Sequence, residues 1–371
     1  MKTGILSMQM VDNYGSLLQA YGLKKIVESL GSDVGFIDIK KIQADYMLLG
    51  DVIEYHDGES DKKTRFQKLF SKDFFVRLAN KKVNQRFVEE CRRFRTKYLE
   101  IDKKSQNYDL CIIGADEVFN CLNSGWWGYT SQLFGNVSEA NTIITYAASC
   151  GATKYDNLPL GVKESIRNSF GKISDFSVRD ANTYDFVSRF EKNNVIQNLD
   201  PVLIYDYEHE VENANLLDLP NHYCVIYSYS YRYYKEEEIS SILAFCKAHT
   251  LTPVAIQGGQ TWCKNFIACN PFECLKIFQN ADFVITDTFH GAIFSIKYAQ
   301  KFAVITRNSN YNKLTDLVSK INIEKHLINN IRQLEEVFNI EKDERTINLI
   351  INEERKKTYQ YLRKYVNGES K

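Results

Sequence analysis

Of the chain's six histidines, His290 is the one with chemically useful neighbours. It lies in the run Val284-Ile285-Thr286-Asp287-Thr288-Phe289-His290-Gly291. An apolar strand runs into Asp and Thr, then His-Gly, then the helix-like Ala292-Ile293-Phe294-Ser295-Ile296. This order puts one imidazole at a strand-to-helix turn, beyond the carboxyl end of a strand, where α/β enzymes bind ligands. His290 can serve there as general acid or base, or bind phosphate. A capped or core histidine would look the same. Asp287, Thr288 and Gly291 flank it as candidate ligand contacts. After the next strand come Arg307, Ser309, Asn312 and Lys313. Arg307 and Lys313 add positive charge to the same rim.

Three other constellations offer complementary chemistry. In Val11-Asp12-Asn13-Tyr14-Gly15-Ser16, Gly15 lets backbone approach a ligand, and the following helix offers free N–H groups to an anion. Asn13, Tyr14 and Ser16 supply side chains around that turn. No Gly-x-Gly-x-x-Gly or Walker loop is present, which counts against a dinucleotide or nucleoside triphosphate. In Ile113-Gly114-Ala115-Asp116-Glu117-Val118-Phe119-Asn120, Asp116 stands at a strand tip as a base, a sugar-hydroxyl acceptor or a helix cap. In Phe176-Ser177-Val178-Arg179-Asp180, Arg179 falls just past an apolar strand. Its guanidinium can clamp a carboxylate or phosphate, or pair with a nearby acid for structural reasons.

The elements that must hold these residues alternate between strand and helix. Thr3 to Met8, Val34 to Ile39, Leu110 to Ile113, Thr142 to Ala147 and Ile173 to Val178 read as strands. Leu17, Ala20, Tyr21, Leu23, Ile26, Val27 and Leu30 recur at helical spacing and stop at Gly31. Asp180 caps a further helix. Leu199-Asp200-Pro201 marks a break, followed by a polar linker from Tyr205 to His222. A second alternating unit follows, with strands at Tyr223 to Tyr227, Pro253 to Ile256, Phe283 to Thr286 and Phe302 to Thr306. Its helices are Ile239 to Cys246, Pro271 to Gln279 and Gly291 to Ala299, and Ile347 to Tyr365 ends the chain as an amphipathic helix. The expected architecture is α/β: two Rossmann-like, doubly wound domains, 1–200 and 201–371, facing across a cleft.

Composition narrows the function classes. The 371 residues are 44% hydrophobic and 25% charged, as in a soluble globular protein. Lys+Arg and Asp+Glu balance at 47 each, which argues against a dedicated nucleic-acid binder. No targeting or transmembrane segment is read. Nine scattered cysteines without a Cys-x-x-Cys pair are expected to be reduced core thiols in a cytosolic protein. The spacing of Cys263, Cys269 and Cys274 fits no common metal site. Residues 61–104 depart from the rest, with fifteen Lys/Arg against six Asp/Glu. Phe66, Phe70, Phe74 and Leu78, then Phe87, Cys91, Phe94 and Tyr98, recur at about helical spacing. Two readings remain open: helices packed on the first domain with a solvated basic face, or a docking surface for anionic membrane or a lipid-linked substrate.

The four constellations, in this order, resemble the polysaccharide pyruvyl transferase family. Its Asn-Tyr-Gly opening and Leu-Gln-Ala-Tyr helix correspond to Asn13-Tyr14-Gly15 and Leu18-Gln19-Ala20-Tyr21. Its Gly-Ser-Asp-Gln-Val-Trp-Asn-like stretch corresponds to residues 114–120. Its Tyr-Ala-Ala-Ser is Tyr146 to Ser149, its Ser-Val-Arg-Asp is Ser177 to Asp180, and its Asp-Pro is Asp200-Pro201. Its Thr-Asp-Ser-Phe-His-Gly is Thr286 to Gly291. The resemblance covers roughly residues 3 to 320.

What the resemblance implies is specific. The fold would be GT-B-like, with acceptor bound on the N-terminal half and donor on the C-terminal half. Phosphoenolpyruvate would be the donor, and a sugar or lipid-linked oligosaccharide of a surface-polysaccharide precursor the acceptor. The product would be a pyruvate ketal, formed without cofactor or metal. His290 would be the acid, and Arg179, with Arg307 and Lys313, would hold phosphate and carboxylate. Asp116 would orient or deprotonate the acceptor. One position departs: some members carry Arg two residues before the His, where this chain has Thr288. A donor-phosphate clamp would then be supplied elsewhere. The alternatives are a GT-B-like glycosyltransferase using a nucleotide sugar and a non-catalytic sugar-binding protein. The expected location is the cytoplasm, with peripheral contact at the inner membrane face through 61–104.

Overall fold

Short apolar runs that bury both faces pair only in parallel here, and they do so in two separate sheets. A computed structural model describes residues 1–49, 72–103, 107–122, 128–190, 195–230, 232, 235–307 and 310–368. The first sheet contains β1 (Lys2–Leu6), β2 (Asp33–Phe36), β3 (Tyr108–Asp116), β4 (Ala140–Ala148), β5 (Phe176–Val178) and β6 (Val195–Gln197). The second contains β7 (Tyr223–Tyr227), β8 (Thr252–Ile256), β9 (Asn265–Ile267), β10 (Phe283–Thr286), β11 (Phe302–Ile305) and β12 (Leu327–Ile328). Each sheet has six strands, in the orders β2-β1-β3-β4-β5-β6 and β12-β11-β10-β7-β8-β9. The second order is that of dinucleotide-binding folds; the first matches the flavodoxin-like kind. The expected pair of doubly wound α/β sheets is thus present.

Strand order fixes where ligands can sit. The chain leaves β1 to one side for β2 and crosses back for β3, so the first sheet switches direction between β1 and β3. The second switches between β7 and β10. Helices diverge above such points and leave a crevice at the strands' carboxyl ends. Every candidate turn near Asn13, Asp116 and Asp287 follows one of these four strands. Arg179 follows β5 instead, two strands from β3.

The two halves share one apolar core. A single buried cluster joins Ile5, Leu17, Ile112 and Tyr146 of the first half to Val225, Val284, Phe289 and Val304 of the second. The stretch read as a polar linker contributes to it. Tyr207 is fully buried and donates to Leu18 O at 2.7 Å, and helix Glu208–Glu212 follows it. The terminal helix Glu344–Val366 returns to the first half. There Tyr361 donates to Thr145 O at 2.9 Å and Tyr365 to Asp175 at 2.6 Å.

The described part of the basic insert is one helix, Lys72–Phe94, continued by a wide turn at Arg95–Leu99. Phe66, Phe70 and Ser309 lie outside the described residues. Among the described residues, no helix is long and apolar enough to cross a membrane. All nine cysteines are free and buried.

Candidate active site

The two switch points meet where Gly15 touches His290. Asn13 caps the first helix, Tyr14–Ser29: its Oδ1 accepts from Gly15 N at 2.7 Å and Ser16 N at 3.2 Å. Thr288 caps helix Phe289–Tyr298 in the same way, accepting from Gly291 N at 2.9 Å. Both helices therefore point their N-termini into one crevice, where partial positive charge favours anions. A Cβ on residue 15 would stand 2.1 Å from the His290 ring, so only glycine lets this backbone lie against the imidazole. Asn13 Nδ2 also donates to the Tyr229 hydroxyl of the other half at 3.1 Å.

At the centre lies Asp200, which sequence reading treated as a break. Its Oδ1 accepts from Val202 N at 3.0 Å and starts the short helix Pro201–Ile204. Its Oδ2 accepts from Arg179 Nη1 at 2.8 Å and lies 3.5 Å from His290 Nε2. The latter contact lacks hydrogen-bond geometry, because His290 Nε2 is buried without a hydrogen-bond partner, as is Arg179 Nε. Burial pushes the Asp200 carboxyl up, but the imidazole and then the guanidinium outweigh it and hold it at about 2. Burial likewise opposes the charge on Arg179, and Asp200, Asp116, Asp180 and Glu117 overturn that and raise its pKa. The Phe289 ring lies under the guanidinium, 4.1 Å from its central carbon, so the helix that carries His290 also supports Arg179.

Asp116 is the most open member of the group, with a side chain 13% exposed. Its φ of 71° is in the left-handed region, a strained position that aspartate tolerates better than most residues. It accepts from Ser16 Oγ at 2.7 Å and stands 3.8 Å from Arg179 Nη1. The helix-cap reading of Asp116 does not hold, since β3 ends on it and turns, not a helix, follow at 117–122. The neighbouring Glu117 takes Lys313 at 2.7 Å across the cleft. Burial raises the Glu117 carboxyl, but Lys313 prevails, with Arg179 assisting, and holds it at about 2.

The remaining candidates build walls. Asp287 is fully buried and accepts from Ser228 Oγ at 2.7 Å. Arg232 lies 3.4 Å from its Oδ1 and Arg307 3.5 Å from its Oδ2, and Arg307 also pairs with Glu238 at 2.7 Å. The Asp287 carbonyl takes bonds from Arg232 and Asn310. Thr288 is 1% exposed and occupied as a cap. Gly291 is a packing requirement, since a Cβ there would stand 2.0 Å from Thr286 Oγ1. Tyr14 is turned away from the crevice. It is fully buried, donates to Cys269 O at 2.9 Å, and its backbone N donates to Gln257 Oε1 at 3.1 Å. Asp287, Thr288, Gly291 and Tyr14, expected to touch substrate, are buried and engaged with neighbouring protein groups.

Sequence reading missed Asp200, Glu117, Tyr229 and Arg232 as site residues. Asp200 carried a signal, the Asp-Pro pair just past β6. Glu117 adjoined a named residue. Nothing in the spacing pointed to Tyr229 or Arg232, which reach the site from the loop after β7.

Solved structures with related chain paths include the UDP-N-acetylglucosamine 2-epimerase from Rickettsia bellii. It is 10% identical, with a TM-score of 0.47 over 99% of this chain and 97% of that one. The UDP-GlcNAc 2-epimerase of Methanocaldococcus jannaschii, solved with UDP-GlcNAc and UDP, is 10% identical, with a TM-score of 0.46 over 94% of this chain and 98% of that one. The glycosyltransferase SnogD from Streptomyces nogalater is 11% identical, with a TM-score of 0.40 over 99% of each chain. No curated protein matches the sequence. The sequence profile of the polysaccharide pyruvyl transferases matches residues 13–309, from the Asn13 cap to beyond Arg307. That span takes in the facing turns, Arg179, Asp200 and His290, and the chain belongs to the polysaccharide pyruvyl transferase family.

Proposed function

We propose that this site transfers a pyruvyl group from phosphoenolpyruvate to two hydroxyls of a sugar in a surface-polysaccharide precursor, giving a pyruvate ketal. The observation that carries this reading is a pair of buried nitrogens without hydrogen-bond partners. Arg179 Nε and His290 Nε2 come from opposite halves and belong to side chains that share Asp200. Two nitrogens beside two helix N-termini call for an anionic ligand. Each charge-assisted contact to it would contribute ~1.5–3 kcal/mol.

In this scheme an imidazolium at His290 gives its proton to donor C3 as an acceptor hydroxyl attacks C2. Asp200 holds the imidazole in place, and Asp116, beside Ser16 in the open part of the crevice, takes the hydroxyl proton. The second hydroxyl then displaces phosphate from C2, so one hydroxyl proton replaces the one given to C3 and the other leaves with phosphate. Arg179 clamps the donor in this scheme, while Thr288 is occupied as a helix cap. Nine free, buried thiols fit a reducing compartment, and we place the reaction in the cytoplasm.

Thermal shift with phosphoenolpyruvate, UDP, GDP, CMP and simple glycosides tests the reading. Phosphoenolpyruvate at a hundred times its dissociation constant should stabilise by about 2.7 kcal/mol. Stabilisation by a nucleotide and not by phosphoenolpyruvate would select the glycosyltransferase alternative instead.

A further inference from the structure

The helix Lys72–Phe94 turns most of its described apolar residues, from Val83 onward, into the molecule. Phe87, Cys91 and Phe94 are buried. Phe87 meets the edge of Tyr14 at 5.0 Å, and Phe94 meets Phe272 of the second half at 5.0 Å. Val83 packs on the cluster of Ala255, Cys263 and Phe266, also in the second half. From Val83 to Phe94 the helix therefore straddles both halves. Its far end is anchored as well: Arg95 donates to Gln9 O at 2.9 Å and pairs with Asp12, in the loop that leads to Asn13.

The outward side is different in kind. Lys81, Lys82, Arg86 and Arg92 are exposed. Arg93 is taken by Glu89 and Glu90, whereas those four have no acidic partner among the described residues. Val88 stands among them at 45% exposure, beside a shallow groove lined by Lys81, Asn84 and Gln85. The charge is local. Residues 61–104 hold fifteen Lys/Arg against six Asp/Glu while the chain as a whole is balanced, so everything else is net acidic. A nucleic acid wrapping the molecule would meet that acidic remainder. A flat anionic surface touches only the basic face, and Val88 can enter its interface.

We propose that this face docks the protein on an anionic phospholipid bilayer, with Lys81, Lys82, Arg86 and Arg92 against the headgroups. The C-terminal end of the docked helix is tied through Arg95 to the loop that leads to Asn13. The proposal does not depend on the identity of the donor or acceptor.

Co-sedimentation of the full chain with vesicles tests it without any turnover assay. The protein should pellet with phosphatidylcholine mixed with phosphatidylglycerol, stay in solution with phosphatidylcholine alone, and be released by added salt. Each basic residue near such a surface contributes about fivefold, so the triple variant Lys81→Glu, Lys82→Glu, Arg86→Glu should bind at least ~100-fold more weakly. Its melting temperature should match the parent's, because all three side chains are exposed. A control with Lys356→Glu and Lys357→Glu on the terminal helix should pellet like the parent. Four results would overturn the proposal: no binding to either vesicle, equal binding to both, full binding by the triple variant, or displacement from vesicles by a short RNA at lower concentration than salt requires.

Discussion

Asp200 and Asp287 are both buried carboxylates flanked by basic side chains, yet they leave opposite needs unmet. At Asp200 the atoms without hydrogen-bond partners are nitrogens, Arg179 Nε and His290 Nε2. At Asp287 the atom left over is a carboxylate oxygen, Oδ2. The first cluster has binding capacity to offer an anion. The second absorbs its arginines, since Arg232 and Arg307 crowd one carboxylate and Arg307 answers to Glu238 as well. The same residue types thus make a recognition site in one place and a brace in the other. What separates them is which partner is in excess. In the proposed reaction the donor's phosphate and carboxylate would bind beside Asp200, while Asp287 braces the loop after β7 through Ser228 and Arg232.

Breaking each cluster should expose the contrast. His290→Ala should lower turnover by about 10²–10⁴-fold, the range for losing a positioned acid, with the melting temperature little changed. If turnover survives, the imidazole is part of the wall, and the two clusters are more alike than proposed. Asp287→Ala should instead cost about 3–5 kcal/mol of stability in chemical unfolding, because it removes a fully buried carboxylate that Arg232, Arg307 and Ser228 all face. The variant that remains folded should bind phosphoenolpyruvate nearly as well as the parent; a large loss of donor affinity would make Asp287 part of the recognition site. Thr288→Ala should cost ~1 kcal/mol through the lost helix cap and leave donor affinity alone. Weaker donor binding there would mean that the hydroxyl contacts ligand directly.

The smallest effect concerns the support behind Asp200. Lys297 donates to Val202 O at 3.0 Å and also to Tyr205 O, closing the short helix that Asp200 opens. Burial pushes its ammonium down to about 7 from an ordinary 10.5, against the pull of Asp206. Between those values the unfolded chain keeps a proton that the folded chain has released, so stability should rise with pH across that window. The rise should appear as the difference between the melting curves of the parent and of Lys297→Met from about pH 7 to 8, below the range where the buried thiols ionise in the unfolded chain. Among the described residues no comparable lysine backs Asp287, so Asp287→Ala should keep that difference.

Much of the fold was legible because parallel strands buried on both faces are near-continuous apolar runs. Leu110 to Ile113 lies inside β3, and Tyr223 to Tyr227 is β7 to the residue. Element ends were harder to place. β3 continues past Gly114 to Asp116 because β4 offers a pairing partner, Ala148, which no local window contains. Val34 to Ile39 stops as a strand at Phe36, where β1 ends its pairing. Reading Tyr205 to His222 as a polar linker missed Tyr207, because charged neighbours mask it and its burial against Leu18 is set by a contact 189 residues away. The site was half legible for a similar reason. His290, Asp116 and Arg179 advertise themselves at strand ends, but an aspartate before proline looks like a cap whether or not its second oxygen is shared with distant side chains. Asp200 does both.

The contact between Gly15 and the His290 ring also limits how this protein can be recombined. Each half supplies one side of a join with no spare room, and Tyr14, next in sequence to Gly15, is seated between Cys269 and Gln257 of the other half. A chimera that exchanges one half for that of a relative would inherit a mismatched seam and a misplaced imidazole together. Substrate range in such proteins would therefore be altered more safely at the loop after β7 and along the crevice rim than by exchanging halves.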